Sequence, residues 1–453
     1  MTARLLAALL ASALLVAGCT SSGDVPDGPE DPSTAPEVTS PSPDAPVSPD
    51  VVPEPETGPG SALAAYEELC TLPAPEGGNG TDVPAEGPTD PIVAELMGEL
   101  EEIRGFGFSR PVVAQPVSQQ EIAEGYTDYL ETAFPVEFYE RRSRAWETIG
   151  VISEGTNIRD ELFEYGSTQV IGYYDTLTGE LKFIGEEDPS PLERVTLAHE
   201  LTHAIDDQRF GLETIDALGA SCRDEELQAA LAVVEGNATY FMLQWAQAFL
   251  SLEEQLEMAA EATQQSPPPS DIEPFISAIQ EWPYTEGLRY ITRLERDGGL
   301  EAVDGSFRDL PVSTEQIIHP ERYPNDVPVP VDVPDLAPAL GNGWEDLDVQ
   351  LVGEMWLRLA LALRVDDTTA GSAAAGWDGG IYRAWTNDGE VALVLATVWD
   401  TEQEAAEFAE AIRQWIGEGS EDAAVVPGQD AEVHVLFASD EETLTLLEAA
   451  AAG

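Results

Sequence analysis

Five consecutive residues, His199-Glu200-Leu201-Thr202-His203, carry the side chains of this chain best suited to chemistry. On an α-helix, residues four apart share a face, so both imidazoles can reach one metal ion, and Glu200, one step round, can take a proton from water beside it. That is the equipment of metal-assisted hydrolysis. The pattern is short, so its surroundings decide its weight. Ser190, Pro191 and Glu193 form a helix-start signal: a capping serine, proline at the first helical position, and glutamate three residues after the cap. Thr196, Leu197, Ala198, Leu201, Thr202, Ala204 and Ile205 carry no charge, which predicts a helix buried beneath a cleft. The competing reading, two core histidines bonded to backbone with Glu200 in solvent, leaves three polar groups in an apolar segment unexplained.

Catalytic zinc typically keeps three protein ligands and one open position. Glu235 is the expected third ligand. It stands 235 − 203 = 32 residues beyond the second histidine, in a helical pattern over Leu227 to Leu250 whose apolar face holds Leu231, Val234, Ala238, Met242 and Trp245. An ionised carboxylate on that face is costly unless a cation partners it; the competing reading places it at the edge of the stripe, reaching water. Gly236 beside it weakens a helix by about 1 kcal/mol relative to Ala, which is accounted for if another backbone approaches closely.

A helix bearing His-Glu-x-x-His, followed by a second helix supplying Glu, resembles the gluzincin class of zinc metallopeptidases. His199 to Asp207 is similar to the active-site helix of thermolysin-like enzymes. The segments Leu197 to Gln208, Val234 to Thr239, Trp282 to Gly287 and Ser313 to Pro320 resemble a family of largely uncharacterised bacterial secreted or lipoprotein gluzincin-like proteins. The resemblance implies one catalytic Zn2+ held by His199, His203 and Glu235, with Glu200 as general base in peptide-bond hydrolysis. Thermolysin-like enzymes place an Asp four residues after the ligand Glu, where this chain has Thr239. Asp206 or Asp207, one turn past His203, is the expected substitute for supporting an imidazole. His319 occupies the chain order in which gluzincins often keep the group that stabilises the oxyanion, and it is the expected catalytic partner of Glu200. Tyr240 and Tyr284 are weaker rivals for that role, and His434, within Val433 to Phe437, reads as a strand side chain.

Several elements must position these groups. Gln169 to Asp175 and Glu180 to Ile184 flank a turn signal ending in Gly179, which predicts a hairpin just before the metal helix. Its edge can accept an extended peptide by backbone hydrogen bonding, or it is an ordinary surface hairpin. Further helices are expected over Ile92 to Glu102, Ser118 to Phe134, Val136 to Ile149 and around Tyr284 to Arg296. Asn387-Asp388-Gly389 between apolar runs predicts a second hairpin, followed by a helix capped at Thr401, a strand over Val433 to Phe437 and a helix capped at Ser439. The expected fold class is α+β: a mainly helical zincin-like metallopeptidase domain over residues 61–325 with a β-hairpin edge, a linker over 326–343 rich in Pro, Val and Asp, and a small α+β accessory domain over 344–453.

The amino terminus suggests where such an enzyme works. Arg4, an apolar run, and Val16-Ala-Gly-Cys19 have the layout of a lipoprotein signal peptide over residues 1–18, with Cys19 as a lipid anchor to the membrane. Residues 19–60 are rich in Pro, Asp and Glu and read as a disordered tether. With Cys19 assigned to lipid, Cys70 and Cys222 form either one disulfide or two separate buried thiols. The net charge is −66, from 86 acidic and 20 basic residues, with Lys182 the sole lysine. Nucleic acid is thereby excluded as a partner, since it needs a basic footprint. The expectation is a membrane-anchored, extracytoplasmic, zinc-dependent endopeptidase acting on peptides or proteins. Two rivals stand beside it: a catalytically inactive zincin-like lipoprotein that binds peptides or envelope proteins, and a zinc hydrolase of non-peptide amides.

Overall fold

The computed structural model describes residues 5–7, 61–70, 90–133, 135–176, 178–185, 188–263, 272–428 and 430–452. The expected tether with Cys19, and all of the expected signal peptide except Leu5–Ala7, lie outside the described residues. The described chain is a mixed α+β structure, mainly helical, with two sheets. Among its described residues no helix is long and apolar enough to cross a membrane.

The first part of the chain builds a helical body around a small sheet. Its elements in chain order are β1 (Leu5–Ala7), α1 (Ala62–Leu69), α2 (Pro91–Arg104), β2 (Ala114–Val117), α3 (Gln119–Ala133), α4 (Val136–Ile149), α5 (Ile158–Gln169), β3 (Gly172–Asp175), β4 (Leu181–Ile184), α6 (Pro191–Phe210), α7 (Glu213–Ala220), α8 (Asp224–Phe249), α9 (Leu252–Ala262), α10 (Pro274–Arg308) and α11 (Thr314–Ile318). The predicted hairpin is β3 and β4, antiparallel with Gly172 opposite Phe183, and β2 joins β4 in parallel. β1 pairs antiparallel on the other side of β3, Leu5 opposite Asp175 and Ala7 opposite Tyr173.

Local chemistry explains the two helices that matter most. Ser190 caps α6 with a complete capping box, its hydroxyl accepting from Glu193 N while the Glu193 carboxylate accepts from Ser190 N. The first turn of α8 carries Asp224, Glu225 and Glu226, which favours the positive end of its dipole. α10 is longer than the sequence suggests. It starts at Pro274, takes Pro283 into its interior and passes a non-helical Gly299; its packing along α8 outweighs the hydrogen bond that Pro283 cannot donate. The backbone approach expected at Gly236 occurs where α8 crosses α10: a Cβ added there would lie 2.2 Å from the carbonyl carbon of Gly287.

The second part holds α12 (Ala337–Leu340), β5 (Glu345–Leu351), α13 (Glu354–Ala362), α14 (Asp367–Ala374), β6 (Trp377–Asn387), β7 (Glu390–Trp399), α15 (Glu402–Gly417), β8 (Asp422–Pro427), β9 (Glu432–Ala438) and α16 (Glu441–Ala451). Its sheet runs β5-β6-β7-β9-β8, antiparallel throughout. The hairpin predicted at Asn387 to Gly389 joins β6 to β7, with positive φ at Asp388 and Gly389. The last helix is capped by Asp440, one residue past the expected Ser439, because the Ser439 hydroxyl is taken by Val391 N of the neighbouring strand.

The two parts share a core. Trp146 of α4 packs edge-on against Phe275 of α10 at 5.2 Å and against Trp356 of α13 at 6.4 Å between centroids. Arg142 of α4 meets Asp348 of β5 at 2.6 Å. Residues 326–343, expected as a linker, lie against the second sheet instead: Val333 is 2% exposed, and Val329 N donates to Asp378 O at 2.6 Å. Prolines without N–H groups keep this run extended, and its valines supply the apolar contact. Cys70 and Cys222 form a disulfide with Cα atoms 5.9 Å apart, joining the end of α1 to the turn before α8.

Candidate metal centre

α6 is buried almost along its whole length, as its uncharged sequence predicts, and this places His199, Glu200 and His203 inside the protein. Glu235 arrives from α8. Exposure is 1% for each histidine, 0% for Glu200 and 3% for Glu235. The ligand atoms converge: His199 Nε2 lies 3.0 Å from His203 Nε2 and 3.2 Å from Glu235 Oε2, and His203 Nε2 lies 3.3 Å from that same oxygen. Two atoms that each sit about 2.0–2.1 Å from a tetrahedral zinc are about 3.3 Å apart. The three separations match that edge length, so this buried group can hold a divalent ion.

The electrostatics favour the same use. Burial pushes the His199 imidazole down to about 4, toward the neutral, metal-binding form, with the hydrogen bond to Glu235 opposing it. Burial also works to raise the Glu235 carboxyl, but the His203 and His199 rings outweigh it and hold the group at about 2. The cluster therefore presents a neutral His199 imidazole and an ionised carboxylate at neutral pH.

A layer of polar groups stands behind these atoms. Asp206, one turn beyond His203 and in its electrostatic reach, accepts from Arg104 Nε at 2.9 Å and from Asn237 Nδ2 at 2.5 Å. Arg104 also meets Asp304 at 2.6 Å, and its guanidinium lies 4.4 Å from the centre of the Phe106 ring and 5.1 Å from that of Phe241. Asp207 is engaged elsewhere, accepting from Tyr174 Oη at 2.8 Å and from Leu212 N at 3.0 Å. Of the two expected supports, Asp206 is the one that faces the site. Thr239 does not replace the thermolysin-like Asp: its hydroxyl and His199 Nδ1 are both buried without a hydrogen-bond partner among the described residues.

The expected oxyanion group is not brought to the triad. His319 caps the end of α11, where Nε2 lies 3.0 Å from Glu354 Oε1 of α13. None of its hydrogen bonds, ion pairs or ring contacts among the described residues reaches His199, His203 or Glu235. Chain order led to the expectation of His319 at the site, but the fold holds it at the junction between the two parts. Tyr284, held as a weaker rival, is at the site. Its ring stacks on His199 with centroids 6.2 Å apart and planes 21° apart, and its hydroxyl donates to Glu235 and lies in the field of Glu200. Tyr240 interacts with Glu295, away from the cluster. His434 is a strand residue of β9, as expected.

Two members of this centre were missed from sequence, Arg104 and Asn237. Both left a trace: Arg104 is the first positive charge after Arg4, closing a helix whose other charges, Glu95, Glu99, Glu101 and Glu102, are all acidic, and Asn237 is a polar residue two places past Glu235 in a largely apolar run. The β3 strand also touches the centre, since a Cβ at Gly172 would lie 3.2 Å from Glu200 Oε1.

Residues 345–453 are similar to a family described as a domain of unknown function, DUF8575. The matched stretch begins with β5 and contains none of the residues of the metal centre. No curated protein and no solved structure matches the chain.

Proposed function

We propose that this chain is a zinc-dependent endopeptidase of gluzincin type, tethered by lipid on Cys19 outside the cytoplasmic membrane. The observation that carries the reading is the buried triangle of His199 Nε2, His203 Nε2 and Glu235 Oε2, with sides of 3.0, 3.2 and 3.3 Å, formed by two helices beside Glu200. His199, His203 and Glu235 would hold the ion. When bound, zinc supplies a Lewis acid for a carbonyl oxygen and makes water acidic enough to lose a proton near neutral pH. Glu200 accepts that proton and returns it to the leaving amine. β3 supports a peptide substrate, because it takes the extended run Leu5–Ala7 in antiparallel register while its Gly172 lies against Glu200. The Cys70–Cys222 disulfide supports an oxidising, extracytoplasmic location.

The test couples metal content to hydrolysis of an unfolded protein such as casein. Wild-type chain is expected to carry one zinc and to lose activity on chelation. Glu200→Gln is expected to keep the metal and lose turnover by at least about a thousandfold, since it removes the general base of a proton-transfer step. Glu235→Ala is expected to weaken metal binding instead. A chain that holds no metal and is indifferent to chelator would leave the peptide-binding, inactive reading; a metal-loaded chain that cleaves only non-peptide amides would replace the substrate class.

A further inference from the structure

The crossing of α8 and α10 places two glycines back to back beside the metal centre. A Cβ at Gly236 would fall 2.2 Å from Gly287 C, and one at Gly287 would fall 2.1 Å from Ala232 O. Both neighbours are backbone, so no side chain can move aside, and the helices meet at a distance only glycine permits. On α8 the residue before Gly236 is Glu235. On α10 the residue three before Gly287 is Tyr284, whose ring stacks on His199 and whose hydroxyl donates to Glu235. The glycine contact therefore sets the spacing between a ligand carboxylate and the hydroxyl that holds it.

We propose that Tyr284 is a positioning residue for the metal ligand Glu235, and that the Gly236–Gly287 contact exists to bring it there. A carboxylate has two oxygens, and Oε2 is the one that joins the imidazole nitrogens. A fixed donor on the carboxylate restricts its rotation and keeps Oε2 on the metal side, as outer-shell partners do for other ligands. This inference rests on the metal-site reading above, and its test uses metal binding rather than activity.

The probe is Co2+, titrated into the whole chain and followed by its visible absorption, for wild type, Tyr284→Phe, Gly287→Ala and the double variant. Tyr284→Phe keeps the ring and removes only the hydroxyl. It is expected to bind Co2+ about tenfold or more weakly, within the 10–100-fold range of outer-shell losses, and to change the intensity of the bound-ion spectrum. Gly287→Ala is expected to weaken binding at least as much and also to lower the melting temperature. If the glycine acts through the tyrosine, the double variant binds Co2+ within about twofold of Gly287→Ala alone, whereas independent effects would multiply. Should Gly287→Ala fail to fold, Tyr284→Phe alone carries the test. Wild-type chain that binds Co2+ alongside a Tyr284→Phe variant that binds it equally well overturns this inference and leaves the metal site standing. Wild-type chain that takes up no Co2+ overturns the metal site and this inference together.

Discussion

Asp206 and Asp207 are adjacent carboxylates of one helix with different partners. The first sits behind His203, held by Arg104 and Asn237; the second ties α6 to Tyr174 of β3 and to the chain reversal at Leu212. The difference follows from helical geometry, since neighbours along a helix point about 100° apart. Asp206 is the side chain through which Arg104, 102 residues earlier, can act on the candidate metal centre. Asp206→Asn is expected to lower metal affinity by about tenfold or more, because the charge behind His203 is lost and the ligand becomes less basic. It is also expected to lower the melting temperature, since Arg104 then keeps, among the described residues, Asp304 as its one carboxylate partner. Metal competition titrations on the folded variant check the first effect; an unchanged affinity would remove Asp206 from the site's support.

The helix α6 is a separate matter from the atoms it carries. Its start is fixed by the Ser190 capping box, and the same hydroxyl reaches Glu261 of α9 at 2.9 Å. Ser190→Ala is expected to cost about 1 kcal/mol, read as a lower denaturant midpoint, while metal affinity of the folded protein stays unchanged, because His199 lies more than two turns away. A large drop in affinity would mean that the cap orients the ligands directly. What the sequence made legible lies at this scale. The caps at Ser190 and Thr401, the turn at Asp388-Gly389, and the His-Glu-x-x-His and Glu235 pair all depend on contacts within a few residues or on one helical face. The parts that stayed hidden depend on distant chain. Arg104 acquires its role from Asp206 and four phenylalanine rings, α10 extends through Pro283 because α8 supports it, and β5 and β8 are edge strands, the first alternating over Leu347 to Leu351 but opening on acidic residues, the second a short run without alternation. His319 shows the same limit from the other side: chain order pointed to the site, while tertiary packing gave it to Glu354.

Across the whole molecule, the two parts are joined by buried acid groups as well as by aromatic packing. Glu225, in the first turn of α8, accepts from Thr314 N at 2.5 Å and from Thr314 Oγ1 at 2.7 Å, and that hydroxyl accepts from Met355 N at 3.1 Å. Burial raises the Glu225 carboxyl to about 7, against the lowering effect of the Thr314 bonds. A carboxyl raised from 4.5 in the unfolded chain stabilises the fold fully below pH 4.5, and that contribution is lost as pH rises through about 7. The contribution of Glu225 to the melting temperature is therefore expected to fall between about pH 5 and pH 8, so Glu225→Gln is expected to raise the melting temperature relative to wild type more at pH 8 than at pH 5. A variant with the wild-type slope would show that Glu225 stays ionised in the fold. The disulfide has a different kind of consequence. It closes a loop of 152 residues and ends at the turn from which the Glu235 helix departs. At the proposed location outside the membrane the bond is stable, and in a reducing cytosol it is absent. On that proposal the start of the helix that carries Glu235 is fastened only after export, so the covalent state of two sulfurs would record which side of the membrane the molecule has reached.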